Sequence, residues 1–147
     1  MRTNNHYVKK VIVFCVLLAA AASVISAQGA YTISGTIKCS VAGTLYVYLV
    51  DEETFKIPLT GIRKQIIRID DNNTNIRFVF EDVAKGKYGI RCFLDKNGNS
   101  TLDSGLFGPT EPWGMSFKKE RPFGQPSFND ICFEVNADKN NIFIEVK

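Results

Sequence analysis

Apolar residues recur along this chain with a period of two. Ile33 and Ile37 flank Gly35, and Leu45, Val47 and Leu49 alternate with Tyr46, Tyr48 and Val50. Ile76, Phe78 and Phe80 alternate with Arg77, Val79 and Glu81, while Tyr88, Ile90, Cys92 and Leu94 oppose Gly89, Arg91 and Phe93. Ile131, Phe133 and Val135, then Ile142, Ile144 and Val146, repeat the pattern. Successive side chains of a strand point to opposite faces, so such runs between polar or glycine-containing breaks predict β-strands. With Gln65–Ile69 as a further run the count reaches seven. No window has the spacing of an amphipathic helix. Seven short strands joined by turns predict an all-β domain, a single antiparallel β-sandwich.

The breaks fit that reading. Val41–Gly43 and Asp138–Asn141 read as hairpin connections, and Asp70–Asn75 as a polar turn whose Asx side chains bond their own backbone. The connection from Asp51 to Lys64 leaves room for a short helical turn. Ser104–Phe128 breaks the rhythm, holding four of the five prolines together with Phe107, Trp113, Phe117, Phe123 and Phe128. A structureless connection of that size is unusual in a compact domain. Its aromatics either cover an open end of the sandwich or present a platform for a sugar or peptide, with Trp113 and Phe117 as the contacts.

Composition matters once the N-terminus is set apart. Arg2, Lys9 and Lys10 precede an unbroken apolar run from Val11 to Ala22, and small residues follow to Ala27. A basic region, a short apolar stretch and small residues before a polar one describe a secretory signal peptide, 1–27, leaving 28–147 as the domain. Cleavage is expected after Ala27, with Ser23 as the alternative. An uncleaved anchor over 11–27 would barely reach the length needed to cross a bilayer. Cys15 lies inside the apolar run, so a lipid-modified N-terminus is not indicated.

Removing 1–27 takes away three basic residues and no acid, so the 18 basic residues fall to 15 and balance the 15 acids. The only histidine, His6, goes too. A neutral domain lacks the electrostatic footprint of a nucleic-acid binder. Without histidine, Ser-His-Asp and Cys-His catalysis and histidine metal sites drop out, leaving carboxylate chemistry or none. Three cysteines remain, Cys39, Cys92 and Cys132, in a compartment expected to be oxidising. Strand alternation puts Cys39 and Cys92 on apolar faces and turns Cys132 away from Ile131 and Phe133. Cys39–Cys92 is therefore the pair to expect if a disulfide forms; otherwise these are buried thiols acting as small apolar residues.

The sharpest local feature is the stretch from Asp95 to Asp103. Asp95, Asn97, Asn99 and Asp103 place oxygen side chains at relative positions 1, 3, 5 and 9, with the Thr101 carbonyl at position 7. That spacing suits a hard cation such as Ca²⁺. Ser100 and Leu106 stand where an EF-hand would have glycine and glutamate, and the stretch follows a strand, so it is not an EF-hand. Glu111 is the candidate for the missing carboxylate. Asp, Asn and Gly are also ordinary turn residues, and Asn97-Gly98 alone signals a turn. Few formal charges imply weak affinity, about 10⁻⁴–10⁻³ M.

Three motifs in order carry a family resemblance. They are the run Phe80 to Ile90, then Asp95-x-Asn97-x-Asn99-x-x-x-Asp103, then Phe107-Gly108-Pro109-x-Glu111-Pro112-Trp113-Gly114-x-Ser116. Together they resemble DUF2141, a family of uncharacterised exported bacterial proteins, over about residues 31–147. Leu94 stands where the family usually has histidine, Ser100 where it has glycine, and Phe117 where it has asparagine. Gly86-Lys87-Tyr88 also resembles the strand start of transthyretin-like, carboxypeptidase-regulatory domains, whose members are mostly non-catalytic accessory modules. There Gly86 permits a positive-φ turn and Tyr88 plugs the end of the sandwich.

Three functions follow as expectations. The first is an exported, non-catalytic module binding a ligand or envelope partner through the 95–128 loops, with Ca²⁺ as the one cofactor in view. The second is a small hydrolase using Asp103 with Glu111 or Asp95 as acid and base, which requires a suitable carboxylate separation. The third is a purely structural envelope protein. The export signal is the only expected contact with a membrane.

Overall fold

The computed structural model describes residues 30–70, 75–119 and 124–147. The signal peptide expected over 1–27, most of the 70–75 turn, Pro122 and Phe123 lie outside these residues. The protein is all-β, with ten strands and two single-turn helices among the described residues.

All seven predicted runs contribute strands. These are β1 (Tyr31–Lys38), β2 (Gly43–Val50), β3 (Arg63–Ile69), β4 (Asn75–Val83), β5 (Gly86–Asp95), β9 (Phe133–Val135) and β10 (Lys139–Glu145). The three further strands are short and lie in the proline-rich segment: β6 (Ser104–Gly105), β7 (Gly108–Pro109) and β8 (Trp113–Met115). Two or three residues between prolines show no period, so the count of seven was short. The helices are α1 (Glu52–Phe55), in the expected connection, and α2 (Phe128–Ile131). Ile131 therefore ends a helix and does not begin a strand. Asp51 caps α1: its carboxylate accepts the Thr54 N–H (2.8 Å) and hydroxyl (2.7 Å), while the Thr54 Oγ1 accepts the Asp51 N–H (3.0 Å).

Of the two larger sheets, one has the order β10-β1-β4 and the other β3-β2-β5-β8, with β9 also paired to β5, while β6 and β7 pair antiparallel as a small separate hairpin. β1 and β10 run parallel, which corrects the wholly antiparallel expectation; the other pairings are antiparallel. β1 and β2 lie in different sheets, as do β9 and β10. The connections read as hairpins therefore pass between sheets. Both sheets supply one core, with Ile33, Ile37, Phe78 and Phe80 from the first and Leu45, Val47, Leu49, Ile90 and Leu94 from the second. Main-chain bonds join the sheets along one side, where Trp113 N–H donates to the Lys147 carbonyl (3.0 Å) and Lys147 N–H to that of Trp113 (3.2 Å). Any side chain at Gly114 would collide with the Glu145 carbonyl at this seam. On the opposite side the Gln65 side chain accepts the Val79 N–H (3.1 Å), occupying a donor on the free edge of β4.

Gly86 does not have the positive φ expected of it; the Tyr88 ring lies where its side chain would be. Cys39, Cys92 and Cys132 are buried free thiols, the alternative to a Cys39–Cys92 bridge. Burial pushes the Cys92 thiol far above the ordinary cysteine range, and the Cys39 thiol adds to the shift. Cys132 caps the C-terminal end of α2 and is buried, not turned out. No helix among the described residues is long and apolar enough to cross a membrane.

Candidate functional site: an aromatic cleft beside an Asx-rich loop

β2 and β5 are buried on both faces. The face away from the shared core carries Tyr46, Tyr48, Val50 and Phe93. Cross-strand register sets Tyr46 opposite Phe93, Tyr48 opposite Arg91, and Val50 opposite Gly89. The Tyr46 and Phe93 rings stack 4.9 Å apart and 4° from parallel, and Tyr48 follows 6.4 Å from Phe93. This layer is covered by irregular segments. Phe55, Leu59, Leu102, Trp113, Met115, Phe117 and Phe128 pack against it, each only partly buried. Ile131 seats on Gly89, and Ser116 pins it there by accepting the Ile90 N–H (2.9 Å) and donating to the Ile131 carbonyl (2.8 Å).

The cover is incomplete. It leaves a cleft of about 360 Å³ walled by Tyr48, Phe55, Phe93, Trp113 and Met115, with Leu102, Ser104 and Pro126 also lining it. That volume lies at the lower end of the range for small-molecule sites, and a largely apolar wall with few polar groups is their usual make-up. Arg91 is its cationic residue on the sheet. The guanidinium donates to the carbonyls of Phe55 (3.3 Å), Thr54 (3.4 Å), Ile57 (2.5 Å) and Thr60, and lies 5.7 Å from the Tyr48 ring centre. It thereby ties the α1 segment onto the sheet. Its Nε is buried with no partner among the described residues, and burial lowers its pKa.

The Asx-rich loop leaves β5 at one end of this layer, and the structure divides its six predicted cation ligands into two groups. Asp95 and Glu111 turn inward and are buried. Asp95 accepts the N–H groups of Gly98 (2.6 Å) and Ser100 (2.8 Å); Glu111 accepts those of Lys96 (2.8 Å) and Asp103 (3.3 Å). The other group faces solvent, where Asn97 and Asn99 both donate to the Asp103 carboxylate at 2.7–3.1 Å. Asn99 Oδ1 meanwhile accepts the N–H (2.9 Å) and hydroxyl (2.8 Å) of Thr101. The oxygens therefore do not all converge on one point. Among the described residues no group of three or more Asp, Glu, His or Cys could hold a metal ion. Ser100 occupies the left-handed region (φ 62°) that glycine would take without strain, and its Oγ accepts the Tyr46 hydroxyl at 2.7 Å. The loop is thus anchored to the aromatic layer.

Both predicted contact residues lie on the cover. Trp113 lines the cleft, whereas Phe117 packs against the aromatic layer and borders a separate depression. Phe107 is wholly exposed. Sequence reasoning did not single out Tyr48, Arg91, Phe93 or Met115 as a wall. The available signal was the run Leu45–Val50, whose two faces are both apolar or aromatic, a composition expected of a strand covered on both sides.

No curated protein and no solved structure matches the chain. The model of a family described as an uncharacterized protein conserved in bacteria, DUF2141, matches residues 36–143, from within β1 to within β10, and the chain belongs to that family.

Proposed function

We propose that this chain is an exported, non-catalytic β-sandwich module of transthyretin-like type that binds a ligand or an envelope partner through its 95–128 loops. The observation that carries this reading is the aromatic cleft, an apolar space on a layer otherwise covered by packed side chains. Export is supported by the signal-like pattern of residues 1–27 and by the family's bacterial description, with periplasm, cell surface and medium all open to it. Two sheets sharing one core support the sandwich. A non-catalytic role is supported by Asp95 and Glu111, whose carboxylates accept backbone N–H groups and are turned away from solvent. The balanced charge of residues 28–147 supports a partner other than nucleic acid.

Trp113 is the only tryptophan and lines the cleft, so it reports occupancy directly. An amphiphilic aromatic anion, anilinonaphthalene sulfonate, is expected to quench Trp113 in the folded protein. Ser104→Phe, which adds a ring at the rim, is expected to weaken that response. No response, or an equal one in the variant, would overturn the reading.

Calcium is proposed as a stabiliser of the Asx-rich loop. Asn97, Asn99 and Asp103 already meet on the solvent side of the loop, where the Asp103 carboxylate is the charged oxygen ligand on offer. Calorimetric titration tests this. Neither heat nor a melting shift at about 10 mM calcium, ten times the weak end of the expected range, would remove calcium from the proposal.

A further inference from the structure

Leu106 and Phe107 form the two-residue tip of the β6–β7 hairpin and are 92% and 100% exposed. Turn chemistry does not account for them. Neither tip residue has a positive φ, and the neighbouring one that does is Gly108 (116°). A large apolar pair at a tip would ordinarily be replaced by polar residues unless something covers it. The hairpin is also held firmly: Thr110 N–H donates to the Asp103 carbonyl (2.8 Å), and Glu111 ties Asp103 back to Lys96. A preorganised apolar tip loses little freedom on docking.

The same molecule carries an apolar space that its own tip does not fill. Leu102 and Ser104, at the base of the hairpin, line the aromatic cleft, yet the tip stands in solvent. We propose that the cleft receives the Leu106–Phe107 tip of a second copy of this chain, two copies facing rim to rim and exchanging hairpins about a two-fold axis. This names the partner for the binding surface proposed above and rests on that reading. Because base and cleft are adjacent, one face carries both tip and receptor, as a self-complementary two-fold contact requires. A phenylalanine buries roughly 150–250 Å². Two Leu–Phe tips with the cleft surface they cover would therefore bury on the order of 1,000 Å², the size of a weak, reversible interface.

Charge argues for this occupant over a lipid surface. Between Lys96 and Lys118 the chain has no Lys or Arg, and Asp103 and Glu111 flank the hairpin. Membrane-seeking tips are flanked by basic residues that meet anionic lipid, and this hairpin's own sequence carries none.

Sedimentation equilibrium of the purified protein over a wide concentration range tests the proposal. A reversible dimer with a micromolar dissociation constant is expected, accompanied by a concentration-dependent blue shift of Trp113 emission. The double variant L106S/F107S alters only exposed residues and should keep its melting midpoint. It is expected to lose the emission shift and to associate on the order of 10-fold or more weakly. The proposal is overturned by a wild-type protein that stays monomeric, by a dimer of equal strength in the double variant, or by tip-dependent binding of monomer to phosphatidylcholine vesicles. A monomer that still binds anilinonaphthalene sulfonate would end this proposal alone. Loss of the probe response as well would end the cleft reading with it.

Discussion

The two faces of the β2–β5 pair are built from the same strands and covered in different ways. On one face Leu45, Val47, Leu49, Ile90 and Leu94 meet another sheet and are fully buried. On the other, Tyr46, Tyr48 and Phe93 meet short helices, a three-residue strand and loops, and the fit leaves a cleft. Sheet against sheet brings two regular surfaces together at a fixed spacing, so side chains interdigitate. Irregular cover is assembled from individual anchors such as Arg91, Ser116 and Ile131, and between anchors it leaves gaps. The regular face supplies stability, and the irregular face is where function has room.

Substitutions can break or sharpen that contrast. Phe78→Ala, in the shared core, is expected to lower stability by about 3–5 kcal/mol in denaturant unfolding, since the surrounding strands cannot collapse onto the void. Asp95→Ala leaves the Gly98 and Ser100 N–H groups without an acceptor and should cost about 2 kcal/mol. Its effect should appear first as faster amide exchange in the loop. Phe128→Ala, on the irregular cover, is expected to cost only about 1–2 kcal/mol, because that ring is partly exposed already. A loss as large as that of Phe78→Ala would erase the distinction between the faces.

The smallest effect concerns the cap of α1. The Thr54 N–H and hydroxyl hold the Asp51 carboxyl below the usual carboxylate range. A depressed folded-state pKa contributes stability above the unfolded value and loses it as pH falls through the folded one. Asp51→Ala should therefore cost about 1 kcal/mol at neutral pH, with the difference in melting midpoint closing progressively below about pH 4.

Legibility in the sequence followed the same division. Period-two runs located every long strand, because burial against a flat partner imposes alternation on Ile76, Phe78 and Phe80 and leaves Arg77 and Glu81 outside. Alternation says nothing about which strands pair or in what direction, so the parallel β1–β10 contact and the membership of each sheet were not readable. In Ser104–Phe128 prolines and two-residue strands leave no period, and a local pattern cannot show which aromatic finds cover. Trp113 does and Phe107 does not. Within the Asx-rich loop the spacing identified the residues, but the choice between cation ligands and turn acceptors depended on backbone N–H positions. There Asp95 and Glu111 went to the backbone.

The parallel contact also has a consequence in time. β1 finds its outer neighbour more than one hundred residues downstream, as the bond from Thr32 N–H to Asp138 marks. Such remote pairing slows folding, because a long loop must close before the contact is rewarded. While residues 139–145 are still being made, the outer edge of β1 stays unpaired and open to a neighbouring chain. Slower synthesis of the last strand would leave that edge exposed for longer and raise the risk of pairing between chains.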